Sequence, residues 1–277
     1  MEIIDSCFEK KKEVTTDRNL FIMTKIVVIL LIILSIPSSS SAKVYPEGSY
    51  RVKVLEALPH DIKAYTQGLF FHEGRLYESS GQYGESFFRE MDIKRGTTLR
   101  SFSLQSKYFA EGATVIDNRL YLLTWMEKTV FVYDINTFKQ LGTLHNPREG
   151  WGLTTDGKQL IMSDGTSTIY FLDPMTFKEI RKITVSQKGK KTEYLNELEY
   201  IGGYIWANVY ESDTIVIIDP TNGNVRSTID CRGLLHSSLK NSKTDVLNGI
   251  AYNPDTGDIY LTGKYWPRMF RVDLVKQ

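Results

Sequence analysis

The chain has 277 residues, with 34 Lys plus Arg against 33 Asp plus Glu and a net charge of +1, so no basic excess marks it for nucleic acid. A charged fraction of 24% beside 42% apolar residues excludes wholesale disorder, and two cysteines exclude a disulfide framework. Sixteen Tyr, 13 Phe and 20 Gly, with few long helical patterns, point to an all-β chain.

Lys10, Lys11, Lys12, Arg18 and Lys25 precede the apolar run IVVILLIIL (26–34), and the small residues Ser38 to Ala42 follow it. Basic residues, a short apolar core and a small-residue end make a secretory signal. The run is short for a membrane span of roughly 20 residues. Counted from Leu20 it is longer, but Lys25 interrupts it. Residues 1–42 therefore read either as a cleaved signal peptide or as a signal-anchor that holds the protein to a membrane through residues 20–36. In both cases residues 43–277 form one domain facing the secretory lumen.

That domain repeats one unit of four strands. The first strands of the units begin TQGLFF (66–71), AEGATV (110–115), GWGLTT (150–155), LNELEY (195–200) and LNGIAY (247–252). Second strands follow as GRLYESSG, NRLYLLTW, KQLIMSDG, GYIWANVY and GDIYLTGK, and third strands close on an acidic residue such as Asp134, Asp173 or Asp219, which opens a turn. Aligned on Gly68, Gly112, Gly152, Glu197 and Gly249, the units are 44, 40, 45 and 52 residues apart. Four strands at that period predict a five-bladed β-propeller. The fifth unit lacks a fourth strand, and SYRVKVLEAL (49–58) stands unpaired before the first. That N-terminal strand is expected in the last blade, where it closes the ring and covers sheet edges that invite aggregation.

Inner strands of a propeller surround one channel, so equivalent positions form rings. The residue before the alignment point is Gln67, Glu111, Trp151, Asn196 or Asn248: three carboxamides, one carboxylate and one indole. Such a ring suits either a water-filled channel or a pocket that hydrogen-bonds a small polar ligand. The ends of the second strands give a second ring of Gly81, Trp125, Gly165, Tyr210 and Lys264, whose divergence suits an asymmetric site. Tyr65 and Phe109 lie two residues before the first ring and share its strand face. Trp206 falls in a uniformly bulky column and reads as core. Glu197 and Glu199 could hold a cation in the channel. The KGKK run (188–191) reads as a solvated loop. No P-loop, G-x-S-x-G or H-E-x-x-H motif occurs.

YTQGL (65–69), YFAEG (108–112), LLTW (122–125), GWGLT (150–154), LNELEY (195–200), WANV (206–209) and LNGIAY (247–252) together resemble the plant-type glutaminyl-peptide cyclotransferases, five-bladed propeller enzymes, over essentially all of 43–277. The resemblance implies that Glu111, Asn196 and Lys264 are catalytic. It implies that Gln67 binds substrate beside an aromatic pocket of Tyr65, Phe109, Trp125, Trp151 and Tyr210, and the first ring adds Asn248. The family more usually has Phe at the position of Tyr65 and Trp at that of Tyr210, so two hydroxyls are added that need partners if buried. The implied reaction closes an N-terminal glutamine onto its own α-amine, releasing ammonia and leaving 5-oxoproline. No metal enters the chemistry, although a structural calcium in the channel is compatible with it. Expected partners are peptides or proteins with N-terminal glutamine, and a closed ring calls for no second copy. Competing readings are a non-catalytic peptide- or protein-binding propeller and a calcium-dependent propeller hydrolase. The second wants several acidic residues converging on the channel, where the first ring offers only Glu111.

Overall fold

The computed structural model describes residues 44–277, so the expected signal peptide or signal-anchor lies outside the described residues. After β1 (Gly48–Pro59) the strands fall into sets of four. The first is β2 (Thr66–His72), β3 (Arg75–Ser80), β4 (Phe87–Asp92) and β5 (Thr97–Ser103). The second is β6 (Ala110–Ile116), β7 (Arg119–Thr124), β8 (Thr129–Asp134) and β9 (Gln140–His145). The third is β10 (Leu153–Thr155), β11 (Leu160–Ser163), β12 (Thr168–Leu172) and β13 (Glu179–Thr184), followed by an exposed hairpin, β14 (Ser186–Gln187) and β15 (Lys190–Lys191), that contains the KGKK run. The fourth is β16 (Leu195–Ile201), β17 (Tyr204–Val209), β18 (Thr214–Ile218) and β19 (Val225–Asp230). The last is β20 (Leu247–Asn253), β21 (Asp258–Gly263) and β22 (Arg268–Lys276), completed by β1 lying antiparallel on β22. The closing strand is thus where the repeat predicts it. Its first residues also pair in parallel with β19, from Gly48 opposite Ser227 to Arg51 opposite Asp230, and so fuse the last two sets into one eight-stranded sheet.

The inner strands β2, β6, β10, β16 and β20 pack in chain order, and β20 returns to β2. Five apolar cores fill the gaps between sets. Phe70, Tyr77 and Phe88 meet Leu120, Leu122 and Phe131, and Tyr121 and Val132 meet Leu160, Met162 and Leu172. Phe171 meets Leu198 and Ile205, and Trp206 and Ile217 meet Ile250 and Phe270. Tyr260 and Met269 meet Leu69, Leu76 and Met91, which returns the packing to its start. Sheets covered on both faces explain why the middle strands read as almost continuous apolar runs. Trp206 is core, as expected. The acidic residues closing the third strands cap turns: Asp134 accepts the Thr137 N–H and hydroxyl, and Asp173 accepts those of Thr176.

A buried polar network locks the seam between the last set and the first. His60 joins the Trp266 carbonyl through Nδ1 (2.8 Å) and Glu78 through Nε2 (2.9 Å). The Thr66 hydroxyl donates to the same Glu78 oxygen (2.6 Å), and Arg89 Nε donates to the other (2.8 Å) while its Nη1 reaches Asp61 (3.0 Å). Burial alone would raise the Glu78 carboxyl, but Arg89 and His60, with the Thr66 hydrogen bond, outweigh it and hold the carboxyl down to about 2.

Candidate active site

Four inner strands slip register at the same place: between Thr66 and Gly68, Ala110 and Ala113, Leu195 and Leu198, and Leu247 and Ile250. A bulge inserts an unpaired residue and re-aims its side chain. The slips take in Gln67, Glu111, Asn196 and Asn248, four members of the first ring, the last three each with the residue that follows it. In the third set β10 starts only at Leu153, and Trp151 precedes it. Adjacent inner strands approach closely here, since a Cβ on Gly112 would lie 2.4 Å from the Leu153 nitrogen and one on Gly152 2.0 Å from the Asn196 carbonyl oxygen.

The second ring lies beside this one. Gly81 N–H donates to the Tyr65 carbonyl, Trp125 to Phe109, Tyr210 to Tyr194 and Lys264 to Val246, at 2.8–3.0 Å. These bonds join the second-ring residues to the column two positions before the first ring, whose member in the third set is Glu149. The two glycines of the second ring make room for rings: a Cβ on Gly81 would fall 2.2 Å from Phe109, and one on Gly165 2.7 Å from Trp151.

The structure links Gln67, Glu111 and Asn248 by hydrogen bonds, and Lys264 with the five aromatics by ring contacts. Gln67 Nε2 donates to Glu111 Oε1 (2.9 Å), and Asn248 Nδ2 donates to Gln67 Oε1 (3.2 Å) and to the Thr66 carbonyl (2.9 Å). Gln67 thus holds Glu111 and is itself held by Asn248, with one N–H and one lone pair of its carboxamide left over. Among the described residues Glu111 Oε2 has no partner. Lys264, buried, makes no ion pair there; its Nζ lies over the rings of Tyr65 (4.4 Å) and Tyr210 (5.0 Å). Asn196 is buried with its Oδ1 unpartnered. Tyr65 and Phe109 meet edge to face at 6.1 Å, Phe109 and Trp125 at 5.6 Å, and Trp151 and Tyr210 at 5.6 Å. Tyr65 and Tyr210, the two family departures, are half-buried and present ring faces to Lys264.

Burial pushes the Glu111 carboxyl well above the ordinary carboxylate range; Lys264 pulls it back, while Glu127 and Glu149 push it further up. Burial lowers the Lys264 ammonium from its usual value, against the pull of Glu111 and Asp245. A buried carboxyl poised upward beside a lowered ammonium is the pattern of an acid/base site.

Sequence reasoning missed Glu149, Tyr83 and Tyr265. The Tyr265 ring lies 5.1 Å from Tyr65, and the exposed Tyr83 meets Phe109 at 5.4 Å while its hydroxyl donates to Glu127 (2.7 Å). Glu149 stands in the column of Tyr65 and Phe109, so continuing that column through the third unit would have found it. Tyr83 sits in a connection outside the repeat and carried no such signal.

Glu197 and Glu199, read as a place for a channel cation, tie neighbouring inner strands together. Glu197 accepts the N–H groups of Leu69 (3.2 Å) and Ile250 (2.9 Å), and Glu199 accepts the Tyr252 N–H (3.0 Å) and the Thr154 hydroxyl (3.3 Å). Burial, then the charge of Glu199, pushes Glu197 up; burial brings Glu199 to about 8. Among the described residues no three His, Cys, Asp or Glu side chains form a metal-ligand group.

Comparison with known proteins adds to this geometry. Residues 26–274 match the family described as Glutamine cyclotransferase. The chain is 40% identical to a glutaminyl-peptide cyclotransferase of Arabidopsis thaliana over 227 residues, which is 80% of this chain and 71% of the relative. The crystal structure of Myxococcus xanthus glutaminyl cyclase superposes with a TM-score of 0.77 at 33% identity, covering 84% of this chain and 100% of that one.

Proposed function

The chain belongs to the glutamine cyclotransferase family, and from that premise we propose how its pocket converts an N-terminal glutamine to pyroglutamate with release of ammonia. The observation that carries the reading is Glu111: a buried carboxyl, gripped on one oxygen by Gln67 and open on the other, inside an aromatic pocket that also holds Lys264.

The neutral α-amine of the substrate attacks the Cδ of its own side-chain carboxamide, forming the ring C–N bond. Glu111 Oε2 accepts a proton from the attacking nitrogen and delivers it to the departing amide nitrogen, which leaves as ammonia as the old C–N bond breaks. Positioned proton transfer of this kind contributes about 10²–10⁴-fold. Lys264 Nζ and Asn196 Nδ2, neither of which has a hydrogen-bond partner among the described residues, are the donors for the oxyanion of the tetrahedral intermediate. Tyr65, Phe109, Trp125, Trp151 and Tyr210 grip the methylene stem and keep amine and carbonyl together, which removes the entropic obstacle to a slow ring closure. Asn248 acts on substrate through Gln67, which in turn aims Glu111. Every proton movement is assigned to a protein group, so the scheme is written without a metal.

We assign the enzyme to the secretory lumen, where signal removal exposes new N-termini, on the strength of residues 10–42. That segment also leaves the choice between release and anchoring through residues 20–36. A monomer suffices, because β1 leaves the last set with no free edge to be filled by a second copy.

The test follows ammonia release and the matching mass loss from a short peptide beginning in glutamine, with a chelator present, for the wild-type chain and for Glu111→Gln. Turnover by the wild type that falls about 10²–10⁴-fold in the variant is expected. Equal turnover by both would move the proton transfer elsewhere, and loss with the chelator alone would replace the scheme by a metal-dependent one.

A further inference from the structure

The aromatic wall of the pocket is a circle with two breaks. Tyr65, Phe109 and Trp125 form one arc, and Trp151 and Tyr210 form the other. Lys264 bridges the first break, its ammonium over the faces of Tyr65 and Tyr210. Glu149 bridges the second: its Oε2 accepts the indole N–H of Trp125 at 2.8 Å and that of Trp151 at 3.1 Å. Each indole has a single N–H donor, and both converge on one carboxylate oxygen.

The repeat shows why a carboxylate stands here. In the first two units the aromatic residue, Tyr65 or Phe109, lies two positions before a polar ring residue, Gln67 or Glu111. In the third unit the order is reversed, with polar Glu149 two positions before aromatic Trp151. The swap turns an indole into the pocket and leaves the acceptor at its rim. Glu149 itself is exposed, so an unconstrained side chain would stay hydrated; holding two indoles fixes it instead.

We infer that Glu149 is a positioning residue for the cyclisation, tying Trp125 and Trp151 into one wall whose spacing fits the glutamine side chain. The inference rests on reading this pocket as the cyclotransferase site. Glu149 does not touch the reacting atoms; it acts through the two indoles. Its charge also faces Glu111, together with those of Glu127 and Lys264, while Gln67 holds Glu111 by hydrogen bond.

Two variants separate these effects in the full-length protein. Glu149→Ala removes acceptor and charge; Glu149→Gln keeps an acceptor oxygen and removes the charge. Glu149→Ala is expected to raise KM for a short glutamine peptide about tenfold with kcat little changed, a loss of the size of one charge-assisted hydrogen bond. It is also expected to shift tryptophan emission, because the other two indoles, Trp206 and Trp266, are buried away from the carboxylate. Glu149→Gln is expected to restore KM to within about threefold and to move the acid limb of kcat/KM to lower pH, since a negative charge that held Glu111 up is gone. Wild-type KM and emission in Glu149→Ala would overturn the inference, as would a Glu149→Gln variant, folded by its unfolding midpoint, that is as impaired as Glu149→Ala. The emission arm needs no turnover, so an inactive wild-type protein would refute the cyclotransferase reading while leaving the tie between the indoles separately measured.

Discussion

Gln67→Met is the sharpest probe of how the site sets its own proton affinity. Methionine keeps the length of the side chain and removes both its donor and its acceptor. The lost contact is the 2.9 Å hydrogen bond from Gln67 Nε2 to Glu111 Oε1, the one side-chain donor that grips this carboxylate among the described residues. Asn248 keeps its bond to the Thr66 carbonyl at 2.9 Å, so the neighbouring bulge retains an anchor. A hydrogen bond to a charged group contributes about 1.5–3 kcal/mol. One pH unit corresponds to about 1.4 kcal/mol, so the donor is worth about 1–2 units of Glu111 acidity. A donor favours the ionised form, and its removal raises a carboxyl that burial already pushes up. The base form is needed to take the proton from the amine. The acid limb of the kcat/KM profile should therefore move about 1–2 units to higher pH. Below the limb the variant loses about 10- to 100-fold, and above it the rate recovers towards wild type. Ammonia release measured across pH gives the profile directly. A uniform loss at every pH, or a limb that stays or moves down, would refute the reasoning and leave Gln67 as a substrate contact.

Gly165→Ala introduces a Cβ 2.7 Å from the Trp151 ring at a residue with φ near +80°, so both strain and displacement are expected. Thermal melts should show a loss of about 1–3 kcal/mol, and KM should rise as the indole is pushed from the wall; a neutral substitution would mean the ring moves aside without consequence. Glu78→Gln should cost about 3–5 kcal/mol at neutral pH, because the buried Arg89 guanidinium loses its buried carboxylate and keeps only the partly exposed Asp61 and the Thr98 hydroxyl. Glu78 is held down to about 2, so its contribution of about 3 kcal/mol is present above the ordinary glutamate range and is lost as pH falls from about 4.5 to about 2. Denaturant unfolding of wild type and Glu78→Gln should converge across that window, and parallel curves would show that the network does not titrate there.

The repeat made much of this protein legible. Five equivalent starts gave the strand sets, the missing fourth strand gave the place of β1, and two columns held Glu111 and Lys264, whose charges act on each other. What remained hidden depends on geometry that residue types do not encode. The register slips that take in Gln67, Glu111, Asn196 and Asn248 show only in the ladder, because nothing in TQG, AEG, LNE or LNG announces a bulge. Gln67 was expected to bind substrate, and its hydrogen bonds to Glu111 and from Asn248 show only in the folded chain. Glu197 looked like a channel charge, yet in a column otherwise made of glycine its side chain takes the N–H groups of Leu69 and Ile250. The parallel pairing of β1 with β19 uses the edge of β1 that faces away from β22, with Tyr50 and Arg51 paired on both sides, and no periodicity announces it.

Ring closure and catalysis share one seam. Gln67 lies at the start of the first set and Lys264 directly follows β21 in the last, so the bond that aims Glu111 and the ammonium that faces it come from opposite ends of the folded chain. What holds them in register is the network beneath. Glu78 accepts from Thr66, next to Gln67, and from His60, which also meets the carbonyl of Trp266, two residues past Lys264. Tyr265 N–H adds a bond to the Ala64 carbonyl at 2.7 Å, and His60 N–H one to Pro267 at 3.1 Å. Glu111 and Asn196 lie outside this seam and are fixed within the ring by their neighbours, through the Ser79 hydroxyl on the Glu111 carbonyl and the Ser163 hydroxyl on that of Asn196. A fault in the seam therefore shifts Lys264 and Gln67, and with Gln67 the hydrogen bond that aims the Glu111 carboxyl. Because a misplacement of about 1 Å can cost on the order of 10²-fold in rate, the site would lose its chemistry well before the sheets lose their cores.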